Sequence, residues 1–454
     1  TCVNNLHYEK FADGTVKCME DEIPFEVPEG WAWCKLNDIY NFIDYRGATP
    51  TKITNGIPLV TAKNVKSGYI DYTIDDYISE EEFKERQQRG ISKKGDILFT
   101  TEAPLGNAAL ADMEKFSAGQ RLITFQQYGS KNELINYVML MFILSDFFQQ
   151  QLYVNKTGST VAGIKAAILK TLWIPVPPYN EQLRISNTLK SAINLIDSIS
   201  KNKEILSTSI SNTKSKILDL AIRGKIVPQD PNDEPASVLL ERIRAEKEEL
   251  IKQGKIKRDK KESVIFKGDD NSYYGIHLPD SWNWASLREI ALSISDGSHN
   301  PPPNNGSGIP LLSAANINDN SILMNEISRW ITNEEWKIEN QRTNIEVGDV
   351  LLTIVGSIGR SAVVQNNNHF ALQRSVAVIK PCLINPLYLM HIVQSPQIQK
   401  WLTDNSKGTA QKGIYLNALS LMIIPIPPLA EQARIVELIH IAYKQLDLIS
   451  NALL

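Results

Sequence analysis

The chain has 454 residues, and its 48 Lys and Arg against 51 Asp and Glu leave a net charge of −3, so no global positive field draws it to nucleic acid. Its longest apolar run, residues 137–144, is far short of the roughly 18 residues that cross a membrane, and no signal peptide opens the chain. Four cysteines (Cys2, Cys18, Cys34, Cys382) without CxxC spacing read as free thiols, which suits a cytoplasmic protein with no membrane partner.

In chain order, residues 1–27 form an N-terminal extension and residues 28–180 a first globular module. The module opens on Pro28, Trp31, Trp33, Leu36 and Ile39, with the tryptophans reading as core. Apolar runs at 95–101 and 122–126 predict strands, Ser79 followed by Glu82 predicts a capping box, and residues 135–153 predict one buried helix. It closes on Ile174-Pro-Val-Pro-Pro178, followed by Glu181-Gln182.

Residues 181–278 form a helical spacer and linker. Leu189, Ala192, Ile196, Ile199, Lys203, Leu206, Ile210, Thr213, Ile217 and Leu220 alternate three and four residues apart, which is a heptad seam. About 40 residues at 1.5 Å each make a rod of roughly 60 Å, too long for the inside of one small domain, so a partner helix is required. Gly224 and the prolines at 228, 231 and 235 stop the rod, a second helix begins near Pro235 and runs to Gly254, and a charged stretch follows.

Residues 279–430 then repeat the first module. Pro279, Trp282, Trp284, Leu287 and Ile290 keep the earlier spacing, and Gly56-Ile-Pro-Leu with Asn64 returns as Gly308-Ile-Pro-Leu with Asn316. Gly95-Asp96 matches Gly348-Asp349, Gln120-Arg121 matches Gln373-Arg374, and Thr332 with Glu335 repeats the capping box. Ile424-Pro-Ile-Pro-Pro428 with Glu431-Gln432 closes the copy. Residues 431–454 are a C-terminal helix in which Ile435, Ile439, Ala442, Leu446, Ile449 and Leu453 supply the partner seam. The two modules diverge where Tyr45-Arg46-Gly-Ala-Thr-Pro50 faces Asp296-Gly-Ser-His-Asn-Pro301.

No catalytic constellation emerges. Val176-Pro-Pro-Tyr179 is similar to the (Asn/Asp)-Pro-Pro-(Tyr/Phe) loop of adenine methyltransferases, but valine stands where the amide must bond the target amine. Gly356-Ser-Ile-Gly359 lacks the spacing and lysine of a phosphate loop and reads as a tight turn. The six histidines hold no metal-ligand spacing, and Asp96, Glu102 and Asp349 read as turn caps.

Two divergent modules on a helical spacer suit an elongated ligand with two separated half-sites, and DNA is the obvious one. The segment Arg223-Gly-Lys-Ile-Val-Pro-Gln-Asp-Pro-Asn-Asp-Glu-Pro-Ala-Ser237, then Glu241-Arg-Ile-Arg-Ala-Glu-Lys247, with both Ile-Pro-(Val/Ile)-Pro-Pro segments, resembles the specificity (S) subunits of type I restriction-modification systems over nearly the whole chain. That resemblance implies an α/β mixed fold of two tandem target recognition domains separated by long antiparallel coiled-coil helices, a pseudo-two-fold repeat. It implies a non-catalytic subunit that reads a bipartite, asymmetric site in double-stranded DNA. It also implies docking of two methyltransferase (modification) subunits, with restriction or translocase subunits joining through them. No cofactor is expected in this chain, because S-adenosylmethionine, ATP and magnesium would belong to those partners. Against the family pattern, the opening at Thr1 suggests a shortened N-terminus, and Leu454, level with Glu204 of the first rod, a shortened second helix. The alternative is a structural two-headed protein scaffold without DNA specificity.

Residues 28–180 carry 16 basic and 16 acidic side chains and residues 279–430 carry 10 and 11, so a DNA face must be built locally. Phosphates call for Lys or Arg, and base edges for Arg, Asn, Gln or Ser. The candidates in the first module are Arg46, Lys63, Asn64, Arg89, Arg121, Lys156 and Lys165. Those in the second are Asn300, Asn316, Arg342, Arg360, Arg374, Lys407 and Lys412. Gly158-Ser-Thr-Val-Ala-Gly163 and Gly408-Thr-Ala-Gln-Lys-Gly413 are Gly-bounded loops suited to placing the four lysines near a backbone.

Overall fold

The computed structural model describes residues 8–19, 22–45, 49–128, 134–158, 162–258, 272–408 and 412–453. The chain divides into two compact units, Thr1–Ile199 and Ser200–Leu454, and the division falls inside one long helix.

The first unit begins with a hairpin of β1 (Tyr8–Lys10) and β2 (Val16–Cys18), then β3 (Ala32–Lys35), α1 (Leu36–Ile39), β4 (Tyr40–Asp44), β5 (Ile57–Val60), β6 (Tyr77–Ile78) and α2 (Glu80–Arg86). After these come β7 (Ile97–Thr101), β8 (Leu105–Leu110), β9 (Ser117–Ala118), β10 (Leu122–Gln127), α3 (Asn136–Leu144), α4 (Asp146–Val154), α5 (Ala166–Leu169), β11 (Trp173–Val176) and the first half of α6 (Tyr179–Ile222). The main sheet is antiparallel, in the order β4-β10-β7-β8, and a smaller sheet β6-β5-β9 lies beside it. β11 pairs with β3, so the Pro-rich end of the module lies on its tryptophan-rich start, Pro175 opposite Trp33.

The apolar runs are continuous because the main sheet is covered on both faces. Along β7, Ile97 and Phe99 face one core with Phe125, Val138 and Leu152, whereas Leu98 faces another with Val60, Ala109 and Leu122. The helix expected over 135–153 is two helices. Ser145 breaks it, its hydroxyl donating to the Phe142 carbonyl (2.6 Å) and capping α4 at Phe148 N (3.5 Å).

The second unit contains the rest of α6, α7 (Ala236–Lys252), the short β12 (Ser272–Tyr273) and β13 (Ile276–His277), β14 (Asn283–Ser286), α8 (Leu287–Ile290), β15 (Ala291–Asp296), β16 (Ile309–Leu312), β17 (Ile317–Asn318), β18 (Ser321–Ile322), β19 (Trp330–Ile331) and α9 (Asn333–Thr343). It continues with β20 (Val350–Thr353), β21 (Ser361–Val363), β22 (Ala371–Leu372), β23 (Val376–Pro381), α10 (Pro386–Val393), α11 (Pro396–Asp404), α12 (Leu416–Ser420), β24 (Ile423–Ile426) and α13 (Leu429–Asn451). Its sheets, β15-β23-β20-β21, β19-β16-β22 and β14-β24, repeat the first unit's. Thr332 and Glu335 form the reciprocal capping box of α9, and Ser79 caps α2 at Glu82 N (3.1 Å).

α13 starts beside the segment that follows α6, with Glu431 accepting from Gln229 (2.6 Å), and runs back to Lys214, which reaches Asp447 (2.5 Å). The two helices are therefore antiparallel. Of the seam, Ile210 is buried and Ile217 and Leu220 are half-buried, with the neighbouring Leu218, Ala221 and Ile222 buried, while Ile196, Ile199 and Leu206 of the seam lie exposed, so only the far end of the heptad run is covered. Among the described residues no helix is long and apolar enough to cross a membrane.

Candidate nucleic-acid interface

In the second unit, the end of β15, the last turn of α9, the turn after β20 and the loop before α12 enclose a cleft of ≈ 630 Å³. The Asp296 carboxylate, 9% exposed, anchors its wall. Arg342 donates to Asp296 Oδ1 and, through Nε, to the Asp296 carbonyl (3.0 Å), while His299 Nε2 lies 2.8 Å from Oδ2. Arg342 is thus half spent on holding α9 to the sheet edge. Arg374 and Lys407 also line the cleft, both exposed, and neither has a carboxylate partner among the described residues. Tyr415, 71% exposed, and Asn417 complete it with an aromatic face and an amide. Charge that is free to meet phosphate, an amide and a ring together make a surface suited to a nucleic-acid groove.

The first unit builds the same wall from different side chains. Strand pairing sets Asp44 opposite Ile123 as Asp296 is set opposite Ala377. Glu102 pairs with Gly163 as Val355 pairs with Gly413, so an acid occupies the place of an apolar residue. Arg121 is bound to that acid, Nε to Oε1 at 3.0 Å, with both side chains about half exposed. Lys165 precedes α5 where Tyr415 precedes α12.

Three candidates thus come together in one cleft, Arg342, Arg374 and Lys407. Arg46 lies outside the described residues. Lys63, Lys156, Lys165, Asn300, Arg360 and Lys412 are exposed, Lys156 with its Nζ over the Tyr153 ring at 5.1 Å. Arg89 is exposed at the end of the turn after α2, matching Arg342.

Asn64 and Asn316, expected at base edges, are corrected: both are 3% exposed. Asn64 accepts from Thr61 N and Oγ1 and donates to the Asp71 and Ile74 carbonyls; Asn316 accepts from Ser313 and donates to the Glu326 carbonyl. A buried amide so fully bonded holds a turn.

Two pairings read from the letters also shift. Leu122 pairs with Thr100 and Val376 with Thr353, so Arg121 stands level with Ser375, and Arg374 with Gln120. The cause is that the loop at 365–369 is one residue longer than that at 112–115, with Ala111 and Val364 bonded alike before it. A bulge in β15 likewise sets Asp296 level with Asp44 instead of Tyr45. Lys407 pairs with Gly413 as Thr157 pairs with Gly163, so it matches no lysine of the first loop.

The turn readings hold for Asp96 and Asp349, whereas Glu102, also read as a turn cap, instead pairs with Arg121. Asp96 Oδ2 accepts from Lys93 N and Asp349 Oδ2 from Glu346 N, each at 2.8 Å, with burial pushing both carboxyls up. Gly359 turns β20 into β21, and a Cβ there would lie 2.2 Å from Gln399 Oε1; Gly106 has the same tight approach to Gln149. Sequence reasoning missed Asp296, His299 and Tyr415 as parts of a site. Strand ends and an aromatic beside a Gly-bounded loop were the available signals. Among the described residues, no group of three His, Cys, Asp or Glu side chains is placed to hold a metal ion.

A family model described as the type I restriction modification DNA specificity domain matches residues 28–207 and again 279–453. The chain belongs to this specificity family. Its similarity to the EcoBI specificity subunit of Escherichia coli is 23% identity over 94% of this chain and 82% of that one. Similarity to the Escherichia coli EcoAI specificity subunit is 34%, over 50% of this chain and 38% of the other. The crystal structure of the HsdS subunit from Thermoanaerobacter tengcongensis shares the fold, with TM-score 0.53 and 18% identity over 94% of this chain and 93% of that chain. A chain from a structural study of complex assembly and conformational transition of the type I R-M system gives TM-score 0.59 and 18% identity over 95% and 94%. The protein is a non-catalytic DNA sequence-specificity subunit, and the scaffold alternative is not favoured.

Proposed function

We propose that the two modules read the two unlike halves of a bipartite, asymmetric site in double-stranded DNA, the second through the cleft at its sheet edge and the first through the matching edge. The observation that carries this reading is one wall with two linings: Arg374, Lys407 and Tyr415 in the second module, and the Glu102–Arg121 pair with Lys165 in the first. Identical clefts would read a palindrome; unlike ones read different sequences. The exposed apolar residues of α6, and Leu438, Ile441 and Leu448 of α13, support docking of two methyltransferase subunits, through which restriction subunits join. S-adenosylmethionine, ATP and magnesium belong to those partners, and the complex works in the cytoplasm.

The test is long-read mapping of methylated adenine in cells that express this chain with its methyltransferase partner, against cells lacking the chain. A bipartite motif that depends on the chain is the expected result; an unchanged methylome with a demonstrably active partner would refute the proposal. Deleting Ile196 through Asn202, one heptad or about 10 Å of helix, should alter the gap between half-sites and leave both half-sites intact.

A further inference from the structure

Both modules keep the same corner where the helix leaves the Pro-rich strand. Gln182 accepts from Ile135 N and donates to the Pro177 carbonyl, and Gln432 makes the same two bonds to Asn385 N and the Pro427 carbonyl. Beside that corner, at the end of the main sheet away from the interface edge, the modules part. In the second, Lys380 of β23 donates to Asp349 Oδ2 (2.8 Å) and Glu346 Oε2 (3.1 Å), so an ion pair fills the place. Strand pairing sets Gln126 level with Lys380, and the turns before β7 and β20 set Asp96 level with Asp349 and Lys93 with Glu346. The first module therefore has an amide where the second has a cation, and a cation where the second has an acid.

Asp96, Gln126 and Gln127 in the first module line a cavity of ≈ 610 Å³, with Asn41, Lys93 and Lys94 also in its lining. The hydrogen bonds fix which atoms are left for it. Gln126 Nε2 donates to the Ile91 carbonyl (3.0 Å) and to Asp96 Oδ2 (2.9 Å). Gln127 Nε2 donates to the Leu134 carbonyl and to Asn136 Oδ1, both at 2.7 Å, and Asn136 is itself oriented by donating Nδ2 to the Gly95 carbonyl (2.7 Å). All four partners are acceptors, so each glutamine is held by its nitrogen and its Oε1 is left over.

Asp96 is 7% exposed, and its Oδ2 takes the bonds from Lys93 N and Gln126 while Oδ1 has none among the described residues. Three acceptor oxygens, Asp96 Oδ1, Gln126 Oε1 and Gln127 Oε1, thus meet the cavity without a donor of their own. Lys93 and Lys94 stand exposed beside them. Lys94 pairs with Glu114 (2.8 Å), whereas Lys93 makes no salt bridge among the described residues. An acceptor floor under a cationic rim calls for a ligand with several N–H donors at one end and negative charge at the other.

We propose that this cavity binds a guanine nucleotide. Guanine presents N–H donors at N1 and at the 2-amino group along one edge, the complement of Asp96 and the two glutamine oxygens, whereas adenine offers a bare N1 beside its one amino group. The phosphates then lie toward Lys93 and Lys94. Cavities of about 300–1,000 Å³ hold ligands of this size. In the second module Lys380 already occupies the carboxylate, so the chain carries the site once. An occupant touches Asn136 at the start of α3, next to the glutamine that opens α6. The proposal is independent of how either sheet edge reads DNA.

The test is calorimetric titration of the full chain with GDP, with ADP, and with inosine diphosphate, which lacks the 2-amino group. One saturable site per chain is expected for GDP, with the other two at least tenfold weaker. Gln126→Lys places the second module's cation against Asp96 and should abolish GDP binding. Lys93→Glu, a change at an exposed position, should weaken it at least tenfold, and decides the matter if Gln126→Lys lowers the unfolding midpoint. Absence of saturation by GDP, equal affinity for ADP or inosine diphosphate, or GDP binding indifferent to Lys93→Glu overturns the proposal. So does undiminished GDP binding by a folded Gln126→Lys chain.

Discussion

The two modules share a sheet order and a Pro-rich corner, yet differ at the sheet edge and around the first tryptophan. At the edge, Glu102 neutralises Arg121 in the first module, whereas in the second Val355 takes the place of Glu102, and Arg374, one position before the level of Arg121, has no carboxylate partner among the described residues. At the corner, Trp282 is covered and bonded while Trp31 is neither fully buried nor bonded. The comparison separates what the scaffold must keep from what it is free to vary. The strand-pairing residues and the glutamine at the helix start are kept, and the groups that face outward from the strand ends change.

The largest expected effect is on stability. Trp282→Ala removes a fully buried indole and its bond to Glu431, and should destabilise the second unit by about 3–5 kcal/mol. Trp31→Ala, at a partly exposed and unbonded site, should cost the first unit roughly half as much or less. Urea unfolding followed by hydrogen exchange would resolve the two units, and equal losses would break the comparison.

Acid should separate the units next. His391 is buried, with Nδ1 unbonded, and burial, opposed by a hydrogen bond to Gln394 and aided by nearby His440, pushes its pKa down from 6.5 to about 4. A folded-state value below the unfolded one means that the unfolded chain takes up the proton first. Stability is therefore complete above pH 6.5 and falls as the pH drops toward 4, by at most about 3 kcal/mol. The matching residue in the first unit is Met141, so the slope should belong to the second unit and vanish in His391→Met.

DNA binding offers finer tests. Arg374→Ala should cost about 1–3 kcal/mol on the cognate half-site and relax its preference there, if the unpaired guanidinium meets a base. Arg121→Ala should cost less, because that side chain is already paired. Lys407→Ala should weaken all duplexes alike and lower the slope of log K against log salt by about 0.9. The smallest change is Glu102→Val, which frees Arg121 and should tighten binding less than tenfold in filter or anisotropy titrations. An equal response to Arg121→Ala and Arg374→Ala would remove the distinction between the clefts.

Much of the fold was legible in the sequence because the repeat displayed each element twice. The strands at 95–101, the caps at Ser79 and Thr332 and the glutamine corner all follow from local chemistry that the letters carry. The break at Ser145 escaped because the apolar run continues across it, and the hydroxyl that ends one helix and starts the next is a single residue. The interface was legible only in part. Arg342, Arg374 and Lys407 are charged and could be counted, but whether a charge is free depends on its neighbour across the sheet. Asn64 and Asn316 misled because an amide that holds a turn and one that meets a base look alike until its partners are known.

The extra residue in the loop at 365–369 bears on any attempt to exchange the modules. A chimera spliced at the shared Gln-Arg letters would join strands one position out of step, turning every following side chain to the opposite face of the sheet. Splicing instead at Leu122 and Val376, where both strands face their threonine, would preserve the core and carry one cleft intact onto the other scaffold.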